Sequence, residues 1–161
     1  MVEMEVLGVR LELPANNPVA LLREMAGLRR VLPIYIGPEE AKSIALAMEG
    51  IPTPRPMTHD LLRDVLVEIG ATVHRVVITE LRESTFYAEI VLEHAGHVHV
   101  VSSRPSDAMA LAVRLQAPVF VEEAVLDVAA GPMPDEPEEQ DHIVDEFRAF
   151  IDDVNPEDFA S

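Results

Sequence analysis

The stretch that most constrains the fold is residues 103–114, which reads SRPSDAMALAVR and joins a strand pattern to a helix pattern. Pro105 suits the first turn of a helix, where its missing N–H costs no hydrogen bond. Asp107 follows in the same turn, where the helix dipole favours a negative charge. One apolar stripe then recurs at helical spacing, formed by Ala108, Leu111, Ala112 and Leu115. The sequence therefore predicts a buried helix whose polar start carries Arg104, Ser106 and Asp107.

Two earlier stretches repeat this design. Residues 37–40, GPEE, precede a stripe of Ala41, Ile44, Ala45 and Met48. Residues 58–60, THD, precede a stripe of Leu62, Val65, Leu66 and Ile69. The acids at these starts either compensate three helix dipoles independently, or converge around a metal ion or a phosphate.

Strand patterns fill much of the remaining chain. Apolar and polar residues alternate over 2–13, but the apolar positions shift by one residue after Gly8, which predicts a β-bulge. Residues 19–25 and 30–36 predict a hairpin, and three consecutive strands are expected over 71–81, 85–93 and 97–102. A short strand over 117–121 and a short helix or turn over 122–130 complete the pattern.

The turn before residue 97 sets the register of its hairpin. We expect a three-residue loop over 94–96, which pairs Leu92 with Val98 and places His97 and His99 on the less buried side. His94, His97 and His99 have no known metal-ligand spacing, so exposed strand histidines are the favoured interpretation.

Charge is spread unevenly over the 161 residues, whose net charge is −17. Residues 1–130 carry 18 acidic and 11 basic side chains, whereas residues 131–161 carry 11 acidic side chains and one arginine. A broad basic surface for nucleic acid is therefore absent, and phosphate chemistry needs a local basic site or a bridging cation. The lack of cysteine, of a basic leader and of any membrane-length apolar run leads us to expect a cytoplasmic protein without a membrane partner.

The C-terminal part differs in composition from the rest. Residues 131–140 are rich in proline and acid and predict a disordered linker. Residues 141–161 predict an acidic amphipathic helix with one apolar face, formed by Ile143, Phe147, Phe150 and Ile151. Such a face usually marks a contact, and we expect it to dock in a homo-oligomer.

Several separated motifs, in this order, resemble the bifunctional nuclease domain family over roughly residues 1–130. They are VLPIYIG at 31–37 with Glu40-Ala41, RPMTHDLL at 55–62, TFYA at 85–88, SRPSDA at 103–108 and APVFV at 117–121. The resemblance implies an α+β fold, with a mixed, largely antiparallel sheet and helices packed on it. It also implies a nuclease acting on DNA and RNA.

If the chain hydrolyses phosphodiesters, the polar residues at the three helix starts are the candidates for its active site. Hard divalent cations, Mg²⁺ or Mn²⁺, prefer oxygen ligands, and the candidates are Glu40, Asp60 and Asp107. His59 is the candidate base, while Arg104 and Arg55 are candidates to bind the substrate phosphate. The alternative is structural: Arg104 and Asp107 pair across one helical turn, and His59 caps or bridges helices.

Two functions of different classes follow. In the first, the chain is a metal-assisted nuclease with a polar site at the three helix starts. In the second, it is a non-enzymatic regulatory or assembly module that keeps the fold and recruits a partner through its tail. Gathering of the candidate residues in one cleft favours the nuclease, and their dispersal into separate ion pairs favours the module.

Overall fold

One seven-stranded sheet organises the computed structural model of this chain, which describes residues 1–133. In chain order the strands are β1 (Val2–Glu12), β2 (Asn17–Glu24), β3 (Val31–Tyr35), β4 (Thr72–Arg82), β5 (Thr85–His94), β6 (His97–Ser103) and β7 (Val119–Val121). Across the sheet they lie in the order β3-β2-β1-β7-β4-β5-β6. Only β4 and β7 run parallel, and the other neighbours are antiparallel.

Four helices complete the described part of the fold: α1 (Pro38–Met48), α2 (Thr58–Glu68), α3 (Pro105–Leu115) and α4 (Glu123–Ala129). The central helix is α3, in which every residue from Ala108 to Ala112 is fully buried. A helix that is apolar on all sides must be enclosed, and α3 packs on β4 and β5 while α1 and α2 pack against it. The predicted α+β fold, with a mixed and mostly antiparallel sheet, is confirmed.

The first three strands form as the sequence predicts. The pairing of β1 with β2 shifts register between Val6 and Gly8, which confirms the bulge. β2 and β3 form the expected hairpin. The buried Glu24 accepts hydrogen bonds from Arg30, which also pairs with Glu123 and Asp127 and so ties α4 to this hairpin.

The predicted register of the β5–β6 hairpin is wrong. The turn has two residues, Ala95 and Gly96, so Leu92 pairs with His99, and Val98 pairs with Glu93. Both turn residues have positive φ, at 51° and 77°, which is the type I′ geometry that matches strand twist. An alanine with positive φ is uncommon, and the predicted three-residue loop does not require one. The histidines at 97 and 99 are nevertheless exposed.

The predicted apolar stripe of α2 does not face the core. Leu62, Val65 and Ile69 are exposed, and only Leu66 is partly buried against the core. His59 is the one buried residue of this helix. The first turn of α2 is therefore held by polar contacts, while most of its apolar side chains meet solvent.

The predicted tail helix and the linker beyond residue 133 lie outside the described residues. Gly131, at the start of that linker, pairs with Val31 of β3 through two backbone hydrogen bonds. None of the helices within residues 1–133 is both long and apolar enough to cross a membrane.

Removing the Leu111 side chain tests the enclosed position of α3. We expect Leu111→Ala to lower the free energy of unfolding by about 2–5 kcal/mol, because it opens a cavity in a fully buried helix. The matched change Leu61→Ala, at an exposed position of α2, should alter it by less than about 0.5 kcal/mol. Urea unfolding followed by circular dichroism measures both, and equal losses would contradict the placement of α3.

Candidate functional site at three helix starts

The polar starts of α1, α2 and α3 meet at one place. The exposed guanidinium of Arg104 donates from Nε and Nη2 to the two carboxylate oxygens of Asp107, over 2.7 and 3.0 Å. Its Nη1 donates to Glu40 Oε1 over 2.9 Å. From α2, His59 Nε2 lies 2.8 Å from Asp107 Oδ1. Glu40, His59, Arg104 and Asp107 therefore form one cluster, which we call the helix-start cluster.

His59 is held from both sides by hydrogen bonds. Its Nδ1 lies 2.7 Å from the hydroxyl oxygen of the buried Ser43, which also accepts from Arg114 Nη2 over 3.1 Å. Because a hydroxyl has one hydrogen and two lone pairs, Ser43 can accept from Arg114 and still either donate to Nδ1 or accept from it, according to the tautomer of His59. On the other side of the ring, the Asp107 carboxylate is the acceptor for Nε2. This arrangement favours a positioning role for His59 and leaves neither ring nitrogen facing solvent without a partner.

Asp60 turns away from the helix-start cluster. One of its oxygens accepts from Arg114 Nε over 2.7 Å, and the other accepts from the backbone N–H of Met57 over 3.0 Å. Burial alone would raise the pKa of Asp60, but the Arg114 and Met57 hydrogen bonds outweigh it, and the pKa falls below the ordinary value. Asp60 is thus the N-terminal acid that fixes the start of α2.

Asp107 is also kept ionised. Burial would raise its pKa, but hydrogen bonds from Arg104 and His59 outweigh burial and hold the pKa below the ordinary value. Hydrogen bonds to Asp107 and Glu40 raise the pKa of Arg104. The exposed part of the cluster therefore carries two carboxylates around one permanent positive charge.

The structure does not gather the three proposed metal ligands. Glu40 and Asp107 converge on Arg104, whereas Asp60 is paired with Arg114. Within residues 1–133, no group of three or more histidine or acidic side chains is placed to hold a metal ion. The donor chemistry that remains, two neighbouring carboxylates, matches Mg²⁺ sites completed by substrate phosphates and water.

Arg55 does not join the cluster. Its side chain is exposed and makes no hydrogen bond or ion pair within residues 1–133, although its carbonyl accepts from Thr53 Oγ1 over 2.7 Å. A cleft of about 480 Å³ opens beside residues 51–56, IPTPRP, the segment that contains Arg55, with Asp60, Arg63 and Arg114 in its wall.

Two residues of the network lie outside the sequence-based set, Ser43 and Arg114. Arg114 is only 4 % exposed and joins three elements, because it also donates to the carbonyls of Ser43 and Ala110. Ser43 follows Glu40 by three residues and so shares its helix face. That spacing was the one available signal for Ser43, while an arginine in the last turn of a helix indicates nothing beyond favourable dipole charge.

Comparison with known proteins identifies related chains. Residues 20–134 match the model of the family described as the bifunctional nuclease domain. Uncharacterized protein MT1877 and Uncharacterized protein Rv1829, from two strains of Mycobacterium tuberculosis, are each 45% identical over 100% of this chain and 99% of their own length. Bifunctional nuclease 1 of Arabidopsis thaliana is 26% identical over 66% of this chain and 34% of that protein.

The buried guanidinium of Arg114 provides a stability test. We expect Arg114→Met to lower the free energy of unfolding by about 3 kcal/mol, because it leaves the partly buried Asp60 carboxylate without its charge partner. Arg82→Met removes an exposed arginine that pairs with Glu80 and lies over the Tyr87 ring, and it should lower the free energy of unfolding by no more than about 1 kcal/mol. Denaturant unfolding of both variants gives the comparison, and similar effects would show that burial of Arg114 has no energetic consequence.

The lowered pKa of Asp60 predicts how its contribution depends on pH. A native pKa below the ordinary value of about 3.8 means that the ionised carboxylate stabilises the fold above that pH. The stability is lost as the pH falls through the lower native pKa. The wild type should therefore unfold at higher temperature than Asp60→Asn at pH 7, and the difference should shrink in strong acid.

Thermal melts from neutral pH to strong acid measure this difference. Asp64→Asn is the control, because within residues 1–133 that exposed carboxylate pairs only with its neighbour Arg63, and the effect of the substitution should stay small at every pH. A gap for Asp60→Asn that widens in acid would contradict the expected sign.

Proposed function

The chain belongs to the bifunctional nuclease domain family, and on this premise we propose that it is a nuclease that hydrolyses phosphodiester bonds of DNA, RNA or both at the helix-start cluster. The observation that carries the proposal is the exposed guanidinium of Arg104, fixed beside two ionised carboxylates at the meeting point of three helices. The names of the plant relatives supply the activity class. They are matched over about a third of their length, so their activity is a proposal for this chain.

Arg104 is the residue that contacts the phosphate. Its side chain is 64 % exposed, and a guanidinium can donate two parallel hydrogen bonds to phosphate oxygens. It also places a positive charge where negative charge develops as the phosphodiester is attacked. To make these bonds, Arg104 exchanges part of its contact with Glu40 or Asp107 for contact with the substrate.

Electrostatics favours a divalent cation at this cluster. Two carboxylates and one guanidinium carry a net charge of −1 when His59 is neutral, so an approaching phosphate is repelled. Glu40 and Asp107 are the residues that would hold Mg²⁺ or Mn²⁺, with substrate and water oxygens completing the ligands. Such an ion would polarise a phosphoryl oxygen and lower the pKa of the water bound to it.

His59 acts through Asp107 in this proposal. Its imidazole fixes one oxygen of the Asp107 carboxylate, and Ser43 and Arg114 fix the imidazole in turn. Supporting hydrogen bonds of this kind orient reactive groups and are costly to remove. Because both ring nitrogens of His59 already have hydrogen-bond partners, we assign it this positioning role in place of the base role expected from the sequence.

The assay uses the purified full-length chain and short labelled single- and double-stranded DNA and RNA. We expect cleavage with Mg²⁺ or Mn²⁺ and none with EDTA. Arg104→Gln and Asp107→Asn should each lower kcat/KM by about 100-fold or more, because the first removes the group that contacts the phosphate and the second removes a carboxylate that would hold the cation. His59→Gln should lower kcat and leave KM nearly unchanged, since it does not contact the phosphate.

Arg82→Gln is the matched control, an exposed arginine of β4 that pairs with Glu80, and its activity should equal that of the wild type. Wild-type protein that cleaves none of the substrates would contradict the proposal. Activity that persists in both Arg104→Gln and Asp107→Asn would instead identify a contaminating nuclease or another site.

The second function is the non-enzymatic regulatory or assembly module. The observation that favours it is the exposed apolar surface of α2, which includes Leu61, Val65, Val67 and Ile69. Large apolar patches on monomers usually mark contacts. An inactive wild type whose α2 surface binds another protein would support this function, and the helix-start cluster would then serve as a structural clamp.

A further inference from the structure

The two edges of the sheet are finished differently. On the β3 edge, Pro33 removes one backbone donor, and Gly131 covers Val31 with hydrogen bonds of 2.8 and 3.0 Å. On the β6 edge, no further strand lies beside β6 within residues 1–133. One edge is thus protected against strand pairing and the other is open.

The β6 strand lacks the features that usually protect an open edge. Its sequence, HVHVVSS, contains no proline, lysine or acid, and no register shift interrupts its pairing with β5. The side chains of Val98 and Val100 are 64 % and 58 % exposed on one face of the sheet. Valine favours strands but gains little stability when it is exposed to water on an edge.

The turn geometry identifies the backbone groups that are free. His94 and His97 flank the two-residue turn, so they form a hydrogen-bonded pair, and pairs alternate along the ladder from there. Val98, Val100 and Ser102 lie on the intervening pairs and direct their N–H and C=O groups away from β5. This edge can receive an extended strand with the same alternation.

We propose that β6 pairs antiparallel with β6 of a second copy of this chain, across a two-fold axis at Val100. The residues whose backbone groups point outward then pair with those of the second copy. Val100 lies opposite its own equivalent, and Val98 lies opposite the equivalent of Ser102. Both valines of each strand are covered on one face, and the two sheets become one continuous sheet of fourteen strands. The contact is isologous, as two-fold symmetry requires.

Charge selects the second copy over a basic partner. Two chains of net charge −17 repel each other, so they can associate only where acids are absent from the contact. β6 has no acidic side chain, whereas its neighbour β5 carries Glu89 and Glu93. Glu89 and Glu93 lie across the β5–β6 ladder from Ser102 and Val98, one strand away from the open edge. The edge strand itself offers a basic partner no carboxylate, while an uncharged strand matches an identical uncharged strand.

Sedimentation of the full-length chain at micromolar concentrations tests the proposal. We expect a particle of twice the 17.8 kDa chain mass. Val100→Lys places two ammonium groups opposite each other at the axis and should raise the dimer dissociation constant at least about tenfold. Val98→Lys should act in the same direction, while Val100→Thr keeps a strand-forming side chain without charge and should remain dimeric.

The control is Val128→Lys, at a valine of α4 that is 76 % exposed, and this variant should dimerise like the wild type. Circular dichroism establishes that each variant is folded. Amide hydrogen exchange adds a local measurement: the amides of Val98, Val100 and Ser102 should be slow in the wild type and fast in folded Val100→Lys. A monomeric wild type, whether β6 is free or covered by the chain's own tail, would overturn the proposal, as would a Val100→Lys dimer of unchanged affinity.

Discussion

A buried arginine holds the three helices of the site in one arrangement. Arg114 cannot lose its charge, so its guanidinium must find acceptors wherever the fold buries it. It finds the Asp60 carboxylate on α2, the hydroxyl and carbonyl of Ser43 on α1, and a carbonyl of its own helix. The position of α2 depends strongly on these bonds, because few of the apolar side chains of that helix are buried.

The helix-start cluster inherits its geometry from this buried contact. Arg114 fixes Ser43, Ser43 fixes the imidazole of His59, and His59 fixes one oxygen of Asp107. At the other end of this chain of bonds, Arg104 is exposed and can exchange partners. The network thus becomes progressively more accessible from Arg114 to Arg104, so its buried members support the exposed guanidinium at its end.

The parts of the fold that the sequence predicted are those in which one pattern has one structural meaning. The stripe from Ala108 to Leu115 required burial, and a phase change at Gly8 required a bulge, and both are found. The stripe of α2 was interpreted wrongly because apolar periodicity indicates a contact face without indicating which surface covers it. The length of the β5–β6 turn was predicted wrongly for another reason. Strand pairing holds Ala95 at a positive φ, which its side chain disfavours.

The sequence predicted where the candidate site lies, but it did not predict which of its side chains pair with one another. Acids at three helix starts led to Glu40, His59, Arg104 and Asp107, which the fold brings together. Asp60 belonged to the same pattern, yet it is adjacent in sequence to His59 and therefore points about 100° away around the helix. Its partner Arg114 lies two turns along α3 from Asp107. The spacing of residues within one helix does not reveal which residue of another helix they contact.

The distribution of charge constrains any phosphate chemistry at the cluster. Arg23, Arg30, Arg104 and Arg114 are each paired with at least one carboxylate, so a phosphate must compete with the protein's own acids for every one of them. At Arg114 that competition would expose a buried ion pair, whereas at Arg104 it exchanges one exposed contact for another. Because Glu40 and Asp107 both lie against Arg104, a phosphate that approaches this guanidinium also meets two acidic side chains. For the nuclease that we propose, the two acids that pair with Arg104 would therefore favour a divalent cation that balances their charge.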